Sequence, residues 1–362
     1  MTKSISNILE QNEFSKEDLI QLLQANEIEQ QSIFTKANQI KKEYVGLKTY
    51  YRGLVEFSNY CNKNCYYCGI RAGNKEVERY ELNDEEILLA VDFAHKNKYA
   101  SVVFQSGERT DRDFILRIES LLKKVKAATN GEIGITLSLG EQTAETYKKW
   151  YDAGAHRYLL RIETTNKELY YKIHPHNQKH KFESRLQALY DLKSTGYQTG
   201  TGVMIALPFQ TYEDLADDLL FFKNFDVDMV GMGPYIEHKD TPLYQFRDNL
   251  MPLKDRFYLS LRMISILRII MKDINIAAAT ALQAIDPIGR EKAIKAGANV
   301  IMPNITPSHN RVNYQLYENK PCIDEGAEDC TNCLEARIAL TGDTVAYGEW
   351  GDSPHFKKKN SK

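Results

Sequence analysis

The stretch Leu54-Val55-Glu56-Phe57-Ser58-Asn59-Tyr60-Cys61-Asn62-Lys63-Asn64-Cys65-Tyr66-Tyr67-Cys68 decides how the rest of the chain is read. Its first residues form an apolar run too short for a helix and suited to a buried strand. Cys61, Cys65 and Cys68 follow at once in a C-x3-C-x2-C spacing. Three thiolates on one loop can hold three irons of a 4Fe-4S cluster, because soft sulfur ligands suit iron–sulfur chemistry. The fourth iron is then left without a protein ligand, and open metal positions are where chemistry takes place. The alternative is a structural zinc ion, which calls for a further Cys or His close by. None stands between Cys68 and His95.

A strand that ends in a reactive loop has counterparts along the chain. Apolar runs recur at 54–57, 101–104, 135–139, 157–161, 202–207, 228–233, 274–279 and 299–302, with helix-like segments between them. Eight parallel strands alternating with helices close a barrel, and the expectation is a (β/α)8 TIM-type barrel; an open doubly wound sheet is its structural rival. Asn59 and Cys61, Glu108, Glu141 and Glu163 stand just after the first four runs. An α/β barrel places its chemistry at those strand ends. Acids that merely favour helix N-termini would account for one or two of them, but not for the cysteines. Residues 1–50 read as a helical lead-in, with Ser15 and Asp18 spaced as a capping box, as are Asn83 and Glu86 further on. Residues 51–310 then form the barrel, and 311–362 a C-terminal extension without strand–helix rhythm, whose lysines from Lys357 onward read as a solvated tail.

Composition narrows the class. With 362 residues, 43% hydrophobic and 27% charged, the chain reads as globular, and one barrel accounts for a length that would otherwise suggest two domains. Its 47 basic and 49 acidic residues leave a net charge of -2, which gives no electrostatic footprint for nucleic acid. There is no GxGxxG, no apolar leader and no run of membrane-spanning length, so a cytoplasmic protein that engages neither nucleic acid nor membrane is expected. The six cysteines fall in two groups, as in metal or redox chemistry in a reducing compartment.

The cysteine loop resembles the cluster motif of the radical S-adenosylmethionine (radical SAM) enzymes. RGLVEFSNYC, FQSGE, TLSLGE, RYLLRIETTN, DMVGMGPYI, GANVIMPNITP and NYQLY, in that order, resemble the HydE family of FeFe-hydrogenase maturases from about residue 15 to about residue 340. The resemblance implies a radical SAM barrel with a 4Fe-4S cluster on Cys61, Cys65 and Cys68, and SAM chelated to the open iron. It implies generation of a 5′-deoxyadenosyl radical that acts on a cysteine-bound Fe(CO)2(CN) precursor of the di-iron subcluster. The maturases HydG and HydF are the partners it suggests. Other readings are a methylornithine synthase of the PylB type, which shares the EFSN entry to the loop, and an iron–sulfur scaffold without turnover. Biotin synthase is less similar, since it wants an additional cluster site inside the barrel.

Several residue roles come from the same likeness. Gln105 and Glu108, in QSGE, match an element that hydrogen-bonds the SAM amino group. Glu163 matches a residue contacting SAM's polar groups, Arg185 an arginine clamping its carboxylate, and Tyr67 an adenine-side contact. For the substrate, whether small molecule or organometallic, Thr136, Arg161, Thr280, Tyr314 and Tyr317 are the candidates; packing is the plainer role for a tyrosine in a chain with 22 of them. Met229 and Met302 are possible cavity residues, with core packing as the alternative. Cys322, Cys330 and Cys333 match a spacing that in some family members holds an accessory cluster; a 2Fe-2S or 4Fe-4S cluster, zinc or nothing are the open readings, with His309 as an optional further ligand. The chain departs from the family at Ala206 and Phe209, where glycines are usual, and at Gln283, where a small residue is common. If the backbone takes positive φ there, Phe209 is strained.

Overall fold

The computed structural model describes residues 3–323 and 334–361. The strands are β1 (Lys48–Tyr51), β2 (Gly53–Ser58), β3 (Ser101–Ser106), β4 (Gly134–Ser138), β5 (Arg157–Leu159), β6 (Gln198–Thr201), β7 (Met204–Ile205), β8 (Met229–Val230), β9 (Gly233–Pro234), β10 (Asn275–Ile276), β11 (Val300–Ile301) and β12 (Thr344–Val345). Seven form one parallel sheet in the order β10-β8-β6-β5-β4-β3-β2. β11 joins its edges: Val300 bridges Ala277 on one side and Tyr50 of β1 on the other, and Leu54 bridges Asn304. The sheet thus curls into the expected barrel.

Helices cover the outside because each strand sends alternate apolar side chains outward, among them Val55, Phe57, Val102, Phe104, Ile135 and Leu137, all buried. The spacings that read as helix starts form real caps. The side chains of Ser15 and Asn83 accept from the backbone of Asp18 and Glu86, whose carboxylates accept in return. The lead-in is three helices, Ile5–Leu9, Lys16–Leu23 and Glu29–Tyr44. Among the described residues, no helix is long and apolar enough to cross a membrane.

Three features differ from the sequence reading. The fifth strand begins at Gln198 rather than at Gly202, because the polar stretch Gln198-Thr199-Gly200-Thr201 is fully buried and satisfied inside the barrel. Thr201 Oγ1 donates to Leu160 O at 2.8 Å, and Gln198 Oε1 accepts from Ser353 N at 2.8 Å. The C-terminal stretch is woven into the barrel. β12 pairs with β1, and Asp343 accepts from the buried Lys41 at 2.6 Å and from Thr49 at 2.7 Å. The lysine-rich end is solvated only in part: in the helix Pro354–Asn360, Lys357 and Lys358 are exposed, although Lys358 reaches Asp273 at 2.7 Å, while the half-buried Lys359 pairs with Asp228 at 2.6 Å.

Residues 350–353 form a floor beneath the barrel. Arg157, fully buried at the start of β5, donates to Thr136 at 2.9 Å, to Trp350 O at 2.9 Å and to Asp352 at 2.6 Å, and also to Ser101. Asn275, at the start of β10, donates to Gly351 O at 2.8 Å. These are N-terminal strand ends, so the opposite end is left for chemistry.

One buried acid titrates near neutrality. Asp218 is enclosed, with Oδ1 accepting from Thr165 N and Oγ1 at 2.7 Å each and Oδ2 without a partner. Burial first, and then Asp214 and Asp217, push its carboxyl up to about 7. The folded value lies above the usual carboxylate value of about 4. The native state therefore holds an extra proton between those limits, and stability falls as pH rises through them. Asp218→Asn is expected to flatten that slope and to gain about 1–3 kcal/mol at pH 8, read from denaturant unfolding at pH 5 and pH 8.

Candidate active site

The cysteine loop is built by its backbone contacts. Asn59, buried just after β2, donates to Glu78 O and Asn313 O at 2.7 Å each and accepts from Tyr80 N at 2.8 Å. Arg79 donates to the carbonyls of Asn59, Ile70, Arg71 and Asn74 at 2.6 to 3.1 Å and so ties the two ends of the loop together. Gly107 lets the end of β3 close on the loop: a Cβ there would lie 2.3 Å from Tyr60 O and 2.7 Å from Cys61 Cβ. Cys61 Sγ then accepts from Glu108 N at 3.3 Å and Lys63 N at 3.4 Å.

Cys61, Cys65 and Cys68 all face one cavity of about 340 Å³ at the C-terminal strand ends. Burial pushes all three thiols up, Cys68 to about 12, and Cys65 is raised further by the other two thiols. Three thiolates in such a place need cationic metal among them, which is the fit expected of a cluster site. Among the described residues no three His, Cys, Asp or Glu side chains converge as one metal ion requires. Thiols spread around a shared cavity suit a polynuclear cluster.

Beside the loop lies a buried charge quartet. Lys63 Nζ is 3.0 Å from Glu108 and 2.9 Å from Glu141; Arg185, from the helix Phe182–Thr195, is 3.4 Å from Glu108 and 2.6 Å from Glu141. Burial raises the Glu108 carboxyl, and Arg185 and Lys63 oppose that rise. Arg161 reaches Glu163 at 3.0 Å, but neither that nitrogen nor that oxygen is aligned for a hydrogen bond. Glu163 also sits at φ 68, a left-handed conformation costly for a residue with a Cβ. Strand bonds hold it there: Glu163 N donates to Gly202 O at 3.0 Å and Met204 N to Glu163 O at 3.1 Å. Tyr67 is fixed through His174, whose Nδ1 donates to Tyr170 O at 2.9 Å. Its Nε2 is thereby left to accept from the Tyr67 hydroxyl at 3.3 Å. Burial keeps that ring neutral, well below the usual histidine range.

Comparison with known proteins decides the family. The radical SAM superfamily model matches residues 55–222. The FeFe hydrogenase maturase subunit HydE of Thermotoga maritima is 45% identical over 356 residues, covering 96% of this chain and 97% of that protein. The chain belongs to the HydE family of radical SAM enzymes. It is therefore an enzyme whose family implies a 4Fe-4S cluster and SAM. A 3-methylornithine synthase of Methanosarcina acetivorans is 28% identical over 84% of this chain and 83% of that protein. In fold, the crystal structure of methylornithine synthase PylB superposes with a TM-score of 0.79 at 24% identity, covering 96% of this chain and 98% of that one. The hydrogenase maturase HydG superposes with a TM-score of 0.79 at 21% identity, over 96% and 77% of the two chains.

For a HydE-family chain, the residues singled out in the sequence are largely gathered in one place. Tyr67, Gln105, Glu108, Arg161, Glu163, Arg185, Thr280, Tyr314 and Tyr317 line the same cavity as the cysteines. Gln105 Nε2 reaches the Tyr314 hydroxyl at 3.4 Å. Thr136 is not among them: it lies deeper, against Arg157, and faces a separate void of about 30 Å³ together with Met229. Met302 borders both spaces. Cys322 lines the large cavity, whereas Cys330 and Cys333 lie outside the described residues. His309 is exposed and faces Glu86 at 3.9 Å. Ala206 and Phe209 do take positive φ, 62 and 70 degrees, so losing glycine there costs strain. Phe209 is half exposed, packs edge-on against Phe246 at 4.8 Å and does not line the cavity.

Sequence reasoning missed Lys63, Glu56, Asn304, Arg290 and Lys320 as cavity residues. Glu56 had a signal, as a charge inside an apolar strand. Lys63 stood in plain view between two cysteines. The others carry no local pattern.

Proposed function

We propose that the chain generates a 5′-deoxyadenosyl radical and uses it on a cysteine-bound Fe(CO)2(CN) species, on the way to the di-iron subcluster of FeFe-hydrogenase. The observation that carries this reading is that three cysteine thiols and two sets of paired acids and guanidiniums open onto a single cavity. A 4Fe-4S cluster, which Cys61, Cys65 and Cys68 would hold, would supply the electron for reductive cleavage of SAM.

The chain's own residues position and shield. Glu108 accepts from the SAM ammonium and Arg185 donates in two-point fashion to its carboxylate, each exchanging part of its present ion pair for the ligand. Gln105 adds a side-chain amide on the same side. Glu163, held beside Arg161, accepts from ribose hydroxyls. Tyr67, locked by His174, supports the adenine. Arg161, Thr280, Tyr314 and Tyr317 face the substrate. The enclosing strands and the floor keep water from the radical. HydG as supplier and HydF as recipient complete the proposed route, in the cytoplasm.

Reconstituted protein, reduced with SAM and offered the synthetic iron–cysteine complex, is expected to form 5′-deoxyadenosine and consume the complex. Conversion of L-lysine to methylornithine instead would favour the methylornithine synthase reading. Cys330→Ala is expected to leave 5′-deoxyadenosine formation intact, as befits an accessory set; loss equal to that of a cluster-loop variant would exclude that role. Gly140 gives a sharper test of Glu108. A Cβ at Gly140 would lie 2.2 Å from Glu108 Cγ and 2.3 to 2.5 Å from its carboxyl group, and φ there is +78. Gly140→Ala is expected to raise KM for SAM by about tenfold, or about 1.4 kcal/mol. An unchanged KM would remove Glu108 from the SAM site.

A further inference from the structure

The chain immediately after Glu163 is gripped by a buried acid that the proposed chemistry does not use. Glu163 sits in the left-handed region, and a residue with a Cβ stays there only where its surroundings hold it. On the strand side, the bonds to Gly202 O and Met204 N pin the residue itself. Beyond it the chain turns away from the sheet, and two carboxylates of the helix Tyr212–Phe225 take over. Asp218 Oδ1 accepts from Thr165 N and from Thr165 Oγ1, both at 2.7 Å. Asp214, one turn earlier, accepts from Asn166 Nδ2 at 2.7 Å. Asn166 Oδ1 in turn accepts from Glu168 N at 2.9 Å and Leu169 N at 3.2 Å, so the next helix starts from the same grip. Asp217 points the other way and meets Lys16 at 2.6 Å on the surface. Asp218 is fully buried and its Oδ2 has no partner. Burying an acid is costly, and here it fixes a single turn. Asp218 itself lies outside the cavity lining, whereas Glu163 is part of it.

We propose that Asp218, seconded by Asp214, is a positioning residue for SAM: it holds the turn 164–166 and thereby keeps the Glu163 carboxylate aimed into the cavity. It touches no ligand and acts through Glu163. Without the grip, the turn is free to swing outward as Glu163 relaxes toward the ordinary backbone region, which carries its side chain off the ligand. This rests on reading Glu163 as a SAM contact, and the test separates the two.

The readout is binding rather than turnover. The cluster-loaded full chain, kept oxidised so that no SAM is consumed, is dialysed to equilibrium against SAM. Asp218→Ala loses both bonds to Thr165 and is expected to raise Kd about tenfold. Asp218→Asn keeps the accepting oxygen and is expected to stay within about twofold of wild type. A double-mutant cycle with Glu163→Ala then tells positioning from general loosening, because residues that act as a unit are not additive. In the Glu163→Ala background, Asp218→Ala is expected to change Kd by less than about twofold. If Glu163→Ala weakens SAM while Asp218→Ala does not, or if the two losses multiply, the proposal is overturned and the SAM contact stands. If Glu163→Ala leaves Kd unchanged, both readings fall. Should Asp218→Ala fail to fold, Thr165→Val decides, since it removes only the hydroxyl donor. It is expected to raise Kd about threefold alone and to have no effect beside Glu163→Ala. An unchanged Kd in Thr165→Val would overturn the grip.

Discussion

Cys65→Ala is expected to reduce 5′-deoxyadenosine formation to the background of the reducing mixture, with loss of the cluster's visible absorbance after reconstitution. Cys65 is the most enclosed of the three thiols, at 9% exposure, and both burial and its two neighbours raise its thiol. Such a site binds thiolate only in the company of metal, so removing one ligand leaves the other two with a poorer set and no replacement at hand. Arg79 and Asn59 hold the loop independently of sulfur, so the variant is expected to fold and melt near wild type. A variant that retained cluster and turnover would show that the chain does not use this loop as its ligand set.

The second large effect is expected on stability. Glu56, 1% exposed in β2, is met by Lys320 at 2.6 and 2.7 Å, and Lys320 also donates to Tyr314 O at 2.8 Å. Lys320→Met leaves a carboxylate buried without its cation and is expected to cost about 3–5 kcal/mol, read as a lower denaturant midpoint. Adding Glu56→Gln to that variant is expected to restore most of the loss, because the penalty belongs to the unpaired charge rather than to the missing pair. If the double variant is as unstable as the single one, Lys320 acts by packing its stem and not by its charge.

The barrel and the cysteine loop that opens onto its cavity were legible because their signals are local. Cys61, Cys65 and Cys68 lie within eight residues, and the capping pairs within four. The quartet was legible but for Lys63 and for the meeting itself. Glu108 and Arg185 were singled out by resemblance and Glu141 by its place after the third run, while the meeting of Lys63 with Glu141 spans 78 residues of sequence. No periodicity encodes such a meeting; the strand ends create it. Gln198–Thr201 escaped notice for a related reason. Its polar side chains are buried because the floor supplies their partners, and a strand of that composition looks like a turn until those partners are known. Thr136 was misplaced by depth: alternation along β4 points it inward, but only the packing of Arg157 shows which layer of the barrel it occupies.

The floor also sets the order in which the molecule is completed. Arg157 sits at the root of the central strand β5, yet its carboxylate, Asp352, comes 195 residues later. While the chain is being made, the ring of strands can assemble only around a guanidinium that still lacks its anion. The barrel is finished when residues 343–353 leave the ribosome and swing beneath it. A truncation or a bulky fusion that withholds this stretch would leave a molecule with Cys61, Cys65 and Cys68 all present and the bottom of its vessel open to water.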